Sequence, residues 1–320
     1  MPSGCSWSPA ADQRTEAETM ASIAFGIRCL REIVAGQPRD CPYCGSASTT
    51  LLQRKKVLLE LRHCENCNLM FRYPKDNAEI NDSYYQSAYR QGVTTDMPDA
   101  EELAALIDQN FQRPGNDMAH RLELLRQLQP QGRILDFGCS WGYASWQMRE
   151  AGYDVVGYEV SLPRAGFARD KLDLAVYSSL DELIARERGM FDVVYSSHVL
   201  EHLPDLATAF SAVKALLKAE GSMLVFVPNC GSTIARQLGT GWGTMISETH
   251  CNALDARFLS AALAEHGFET KFAAPEAWTQ PDLSQFKGYA SPEQAVDDFP
   301  GEELGVWAKA CRQEGPGTQD

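Results

Sequence analysis

The chain has 320 residues, with 29 Lys and Arg against 43 Asp and Glu, a formal charge of −14 at pH 7 and a pI of about 4.9. Apolar residues make up 44% and charged residues 22%, the balance of a globular protein rather than a disordered one. The acidic excess argues against a general nucleic-acid binder, which needs Lys and Arg to meet phosphates, and against docking on anionic lipid.

Residues 1–39 read as a polar tail followed by an amphipathic helix from about Glu16 to Val34, with Ile23, Ile27, Leu30 and Val34 spaced by three and four. Gly36 and Pro38 end it. This stretch is interrupted by Arg28, Arg31 and Glu32, so it lacks the unbroken apolar core of a signal peptide, and no run approaches the roughly 20 apolar residues of a membrane span. A cytoplasmic location is the expectation, with no membrane partner.

Residues 40–74 carry Cys41-Pro-Tyr-Cys44, nineteen intervening residues, and then Cys64-Glu-Asn-Cys67. Two C-x2-C turns each aim two thiolates at one point and together complete the tetrahedron that zinc accepts. Gly45 and Asn68 follow the two pairs, where backbone N–H groups can face sulfur. Strands are expected over 51–54 and 57–61, making a zinc ribbon whose closed four-thiolate site is structural rather than catalytic. Two buried apolar cysteine pairs are the alternative, and disulfides are disfavoured by the expected compartment. His63 reads as a surface residue, and Arg54, Lys55 and Lys56 as a solvated strand edge. Residues 75–129 read as a helical linker or lid, turning helical near Tyr84, with one polar helical stretch over 99–128 before Pro130 and Gly132 break the chain.

From residue 130 to 311 short β-rich runs (134–137, 154–159, 175–177, 191–196 and 223–227) alternate with helical patterns (143–151, 164–172, 180–187 and 206–219). That alternation predicts βαβ units, hence a parallel sheet with helices on both faces. A helix over 256–266 and runs at 269–273 and 305–308 follow without a clear crossover helix, which suggests an antiparallel terminal pair. Residues 312–320 read as a tail.

The first of these strands runs through Asp136 into Gly138-Cys-Ser-Trp-Gly142 and then a helix. Glycines there permit tight turning and close approach of a ligand, and the helix start offers N–H groups to an anion. Glu159, at the end of the second strand, is placed to accept hydrogen bonds from two ribose hydroxyls. A dinucleotide fingerprint reads G-x-G-x-x-G, which this loop does not, and Trp141 would crowd a pyrophosphate.

The loop resembles the L-D-x-G-C-G-x-G motif of Rossmann-like, class I S-adenosylmethionine-dependent methyltransferases. Residues 191–205, ending in Ser-His-Val-Leu-Glu-His-Leu-Pro-Asp, and Val227-Pro-Asn229 resemble their segments at the fourth and fifth strands. With the cysteine ribbon ahead, the whole chain resembles bacterial small-molecule methyltransferases that carry an N-terminal zinc-binding segment, some of which methylate nucleotide-linked sugars. The resemblance implies a seven-stranded sheet. It also implies S-adenosylmethionine contacts from Gly138, Cys139, Gly142, Asp136, Glu159, Ser179, Leu180, Ser197 and His198, with Tyr84 or Tyr85 reaching over the cofactor. Ser140 stands where the family has its central glycine.

Two histidine strings remain. His198-Val-Leu-Glu201-His202 reads as a metalloprotease-like H-x-x-E-H, but it directly follows a strand and Pro204 leaves it about one turn, so the methyltransferase reading accounts for it better. In Ser247-Glu248-Thr-His250-Cys-Asn252, His250 is the candidate general base and Glu248 its orienting partner; a capping or core-edge histidine before a helix capped by Asn252 or Asp255 is the alternative. The expected function is methyl transfer to a small-molecule acceptor, a sugar or a natural-product intermediate. An RNA-modifying methyltransferase and a non-catalytic cofactor-binding scaffold are the alternatives. The identity of the acceptor, the atom methylated and the oligomeric state stay open.

Overall fold

A computed structural model describes residues 16–77, 85–86, 96–112, 115–275, 280–289, 299 and 301–311, with side chains from residue 22 onward. Tyr84 and the expected tails at 1–15 and 312–320 lie outside the described residues.

Helix α1 spans Glu16–Val34. It packs through Cys29 and Phe25 against a small cluster that includes Leu59, Leu61, Trp242 and Ile246. The stripe anticipated as its apolar face is instead turned outward: Ile23, Ile27 and Leu30 are half exposed and Val34 is 78% exposed. Three strands follow, β1 (Thr49–Lys55), β2 (Leu59–Cys64) and β3 (Met70–Tyr73), paired antiparallel in sequence order. β2 starts two residues later than expected because Lys56 adopts a left-handed φ of 52° in the intervening turn.

The single helical stretch expected over 99–128 is two helices, α2 (Ala100–Asp108) and α3 (Ala119–Leu128). Asn110 and Phe111 break it with φ of 49° and 56°, and the fully buried Phe111 ring drops against Trp146 (5.0 Å) and Trp141 (6.0 Å). Aromatic packing and the left-handed backbone at Asn110 and Phe111 end the first helix.

The larger unit then runs β4 (Arg133–Phe137), α4 (Tyr143–Glu150), β5 (Asp154–Tyr158), α5 (Leu162–Leu172), β6 (Ala175–Tyr177), α6 (Leu180–Glu187), β7 (Phe191–Ser197), α7 (Leu206–Leu216) and β8 (Leu217–Pro228). β8 takes up residues expected to end α7; at Gly221 an added Cβ would come within 3.1 Å of the Lys218 and Phe191 carbonyl oxygens, so the strand lies tight against β7. After α8 (Thr233–Leu238), β9 (Asn252–Ala253), α9 (Ala256–Glu265), β10 (Phe268–Ala273) and β11 (Lys287–Gly288), the last strand is β12 (Glu303–Ala310). Side-chain caps start the helices: Ser179 for α6, Asp205 for α7 and Asp255 for α9 each accept a backbone N–H three residues on.

The large sheet has the order β11-β10-β12-β8-β7-β4-β5-β6. β4 to β8 are parallel, while β12 is antiparallel to both neighbours, β8 and β10. Seven strands therefore match the expected sheet, with two-residue β11 added at one edge. Period-two alternation splits the core: Leu135 and Phe137 face α6, α7 and α9, while Ile134 and Val155 face α3 and α4. β9 belongs to the other sheet, where Met70 pairs with Ala253 and Phe71 with Asn252. The cysteine-rich segment and the chain after β8 thus share one four-stranded sheet.

Candidate active site and cysteine cluster

The carboxyl ends of β4, β5 and β7 open into a cavity of about 650 Å³. The loop after β4 turns sharply, with φ of 88° at Gly138, 51° at Ser140 and 95° at Gly142. Gly138 and Cys139 donate their N–H groups to the Tyr158 carbonyl, which locks the loop to the end of β5. An added Cβ at Gly138 would stand 2.3 Å from Val199 Cγ2, so only glycine fits. Ser140 keeps the left-handed turn of the glycine it replaces, and its hydroxyl accepts from buried Arg164 at 3.1 Å.

Glu159, 6% exposed, accepts the Ser140 N–H at 2.9 Å on one oxygen and the Ser161 N–H at 2.7 Å on the other. Each oxygen retains a lone pair, enough for two further hydroxyl donors. Burial raises its pKa despite those two bonds and Arg164 nearby. Asp136 accepts the Ser145 hydroxyl at 2.6 Å, and burial pushes its pKa up to about 7, with the Ser145 bond opposing and the Glu159 charge adding to the shift.

Of the residues anticipated as cofactor contacts, the cavity wall gathers Tyr85, Asp136, Gly138, Cys139, Glu159, Leu180, Ser197 and His198. Gly142 and Ser179 are not in it. Gly142 is the N-cap of α4 and faces Leu174, Ala168 and Leu172, and the Ser179 hydroxyl is used as the cap of α6. Residues not anticipated there are Tyr143, Tyr158, Arg121, His202 and Glu303. Arg121 comes from a polar helix with no distinguishing pattern, whereas Glu303 opens a largely apolar strand and His202 stood in the H-x-x-E-H string, which are the signals the sequence offered.

His198 has a φ of 54° and stands between two carboxylates, Glu303 Oε1 at 3.1 Å from Nε2 and Glu201 Oε1 at 3.4 Å from Nδ1. The side chain is half exposed; partial desolvation favours the neutral ring, but the two carboxylates outweigh it and raise the pKa to about 10. Arg121 pairs with the other oxygen of Glu303 and lies over the Phe226 ring. The H-x-x-E-H string forms a single 3-10 turn over Leu200–His202, with His198 outside it, so the two histidines do not share a helical face.

His250 lies just behind this wall. Its ring meets His202 edge-on at 4.6 Å, and its Nδ1 lies 2.9 Å from the Thr244 carbonyl. His250 is not among the residues lining the cavity, whereas His202 is. The Glu248 carboxylate accepts the Ser22 hydroxyl of α1 at 2.7 Å rather than meeting the His250 ring. Asn252 does not cap a helix; its amide donates to the Leu203 carbonyl at 2.7 Å.

The four ribbon thiols converge. All four sulfur atoms lie within 4.8 Å of one another, with Cys41 to Cys67 at 3.6 Å and Cys44 to Cys64 at 3.5 Å. A tetrahedral zinc with Zn–S bonds of about 2.3 Å sets its sulfurs roughly 3.8 Å apart, so the set is compatible with zinc. Gly45 and Asn68, after the two pairs, both take left-handed φ (71° and 65°), giving two equivalent knuckles.

Sheet order, glycine loop and the acid after β5 define the class I, Rossmann-like architecture of S-adenosylmethionine-dependent methyltransferases. A family model described as a methyltransferase domain matches residues 107–271, and the chain belongs to that family. It is similar to a ubiquinone biosynthesis O-methyltransferase of Aromatoleum aromaticum, 35% identical over 98 residues that cover 28% of this chain and 42% of that protein. A protein of the same description from Bordetella avium is 31% identical over 150 residues, covering 42% and 62%. These matches span less than two thirds of the relatives' own length. A solved S-adenosylmethionine-dependent methyltransferase from Archaeoglobus fulgidus is 20% identical, with a TM-score of 0.45 over 64% of this chain and 99% of that one. No helix among the described residues is long and apolar enough to cross a membrane.

Proposed function

We propose that the chain transfers the methyl group of S-adenosylmethionine to a small-molecule acceptor, with oxygen as the acceptor atom. The observation that carries this reading is the continuity of one cavity: its wall includes the glycine turn with Asp136 and Glu159, and also the polar group His198, His202, Arg121 and Glu303. The oxygen assignment draws on the curated relatives, which are named as O-methyltransferases. When bound, the cofactor supplies an electrophilic methyl on a sulfonium.

The chain's own residues hold and align. Glu159 keeps lone pairs for the ribose hydroxyls, and Asp136 offers a carboxyl that titrates near neutrality to the cofactor's ammonium. Gly138 lets the backbone approach, and Tyr85 and Leu180 line the same cavity. Methyl transfer is an in-line displacement, so alignment in a water-poor pocket supplies most of the acceleration. His250 is not among the residues lining the cavity, and we read its part as indirect, as a positioning residue that fixes His202. Glu248 joins α1 to the loop that carries His250. The cysteine quartet would hold a structural zinc, and the β3–β9 pairing with the Arg72 bonds ties the ribbon to that same loop.

The acidic chain and the 650 Å³ cavity favour a small acceptor over RNA. Incubation with methyl-labelled cofactor and fractionated small-molecule and RNA pools tests the reading. Label in small organic hydroxyl compounds supports it, label in RNA alone moves the assignment to the RNA-modifying alternative, and no label in any pool leaves the scaffold reading.

A further inference from the structure

A buried carboxylate without a hydrogen-bond donor sits beside the cavity. Glu201 is 1% exposed, yet neither of its side-chain oxygens has a hydrogen-bond partner. Leaving an ionised carboxylate dry and unbonded is costly, so such a group ordinarily meets a cation. The His198 imidazolium forms an ion pair with one of its oxygens at 3.4 Å, but the contact is shared with Glu303 and leaves both Glu201 oxygens without a hydrogen bond.

Two imidazoles point at the same place. Glu201, His202 and His250 each offer one ligand atom, and all three atoms lie within 4.8 Å of one another. His202 Nδ1 is 3.2 Å from the Thr249 carbonyl, and His250 Nδ1 is 2.9 Å from the Thr244 carbonyl. A carbonyl only accepts, so both rings carry their proton on Nδ1 and present an Nε2 lone pair. That is the arrangement by which metal-binding histidines are held in the ligating tautomer. His202 Nε2 is 3.8 Å from Glu201 Oε1, and the two rings stand at 89°.

We propose that Glu201, His202 and His250 form a second metal site, distinct from the cysteine quartet, for a divalent first-row transition ion of the zinc or manganese type. One carboxylate and two imidazoles are a borderline nitrogen–oxygen donor set of the kind these ions take, and one too poor in oxygen for calcium or magnesium. The inference deepens the reading of His250 as a positioning residue, because the ion would clamp His202 in the cavity wall. It also accounts for the Cys251 N–H bonding the Glu201 carbonyl, which brings the two ligand-bearing segments together.

Full-length protein holding one tightly bound zinc in the ribbon is titrated with Zn²⁺ and, separately, Mn²⁺ against a chromophoric chelator. The wild type takes up one further equivalent. Glu201→Gln and His250→Ala each weaken that second equivalent by at least about a hundredfold while retaining the first. Cobalt loading gives a second readout: the ribbon shows a thiolate charge-transfer band, and the new site adds a d–d band without one. Uptake of only one equivalent by the wild type overturns the proposal, as does a second equivalent unaffected in folded Glu201→Gln protein. Metal uptake is read without methyl transfer, so an active enzyme with one equivalent sinks the site alone, and an inactive one with two equivalents sinks the function alone.

Discussion

Phe71 pairs with Asn252 across two antiparallel strands, and that pairing joins the cysteine ribbon to the loop behind the cavity. Asn252 in turn donates to the Leu203 carbonyl, and Arg72 donates to the carbonyls of Ser247 and Glu248. Stripping the ribbon metal therefore loosens residues 247–253 as well as 41–73. Hydrogen exchange with and without chelator checks this: faster exchange in both segments is expected, and protection lost over 41–73 alone would show the loop to be independent.

Gly138 and Gly142 differ in whether they touch the cavity. Gly138→Ala strains a left-handed residue and drives a Cβ against Val199 in the cavity wall. It therefore lowers cofactor affinity by more than about tenfold in addition to destabilising the fold, whereas Gly142, outside the wall, affects stability alone. Gly142→Ala strains a left-handed cap and meets Leu174 at 2.7 Å, which costs roughly 2–4 kcal/mol of stability. Thermal unfolding and calorimetry with S-adenosylhomocysteine on both variants distinguish the two effects.

Asp136 opposes the stability of the ligand-free fold. Burial raises its pKa from 3.8 to about 7, so the folded chain keeps a proton that the unfolded chain releases between those values. Stability falls as pH rises across that window, and the cost is complete above pH 7 at up to about 4 kcal/mol. Asp136→Asn is expected to raise the melting temperature at pH 8, to change it little at pH 4, and to weaken cofactor binding. Equal melting at pH 8 would place the carboxyl in a more solvated setting.

His198 behaves in the opposite chemical sense. Its half-exposed ring is held charged by Glu201 and Glu303, and its pKa stands at about 10 against an ordinary 6.5. Its contribution to stability is whole below pH 6.5 and is lost as pH rises through 10. NMR of the ring protons should show no titration between pH 6 and 8, and Glu303→Gln should bring the transition down. A wild-type midpoint near 6.5 would break the ion-pair assignment.

What was legible in the chain was local. The cysteine spacing, the run from Ile134 through Gly138, and the cap Asp255 each carry their signal within a few residues, and the βα alternation set the order of strands and helices. Ser179, read as a cofactor contact, turned out to cap α6. The antiparallel β12 was legible from the missing crossover helix before it. What was not legible depends on distant segments meeting. Asn252 looked like a cap until β3 offered it a strand to pair with, and Phe111 broke a polar helix because Trp141 and Trp146 made a place for its ring. Arg121 and Glu303 reach one cavity from a helix and a strand 182 positions apart. His250 was singled out by its neighbours in sequence, whereas its neighbours in space are His202 and Glu201.

The most direct measurement is calorimetry of S-adenosylhomocysteine binding to metal-replete protein, with NAD as control and Glu159→Ala as the variant. Micromolar binding that the variant weakens at least about tenfold is expected, since two hydroxyl bonds to a charged acceptor are lost. Folded protein that shows no binding, or a variant that binds as tightly as the wild type, would contradict the assignment of this cavity to the cofactor.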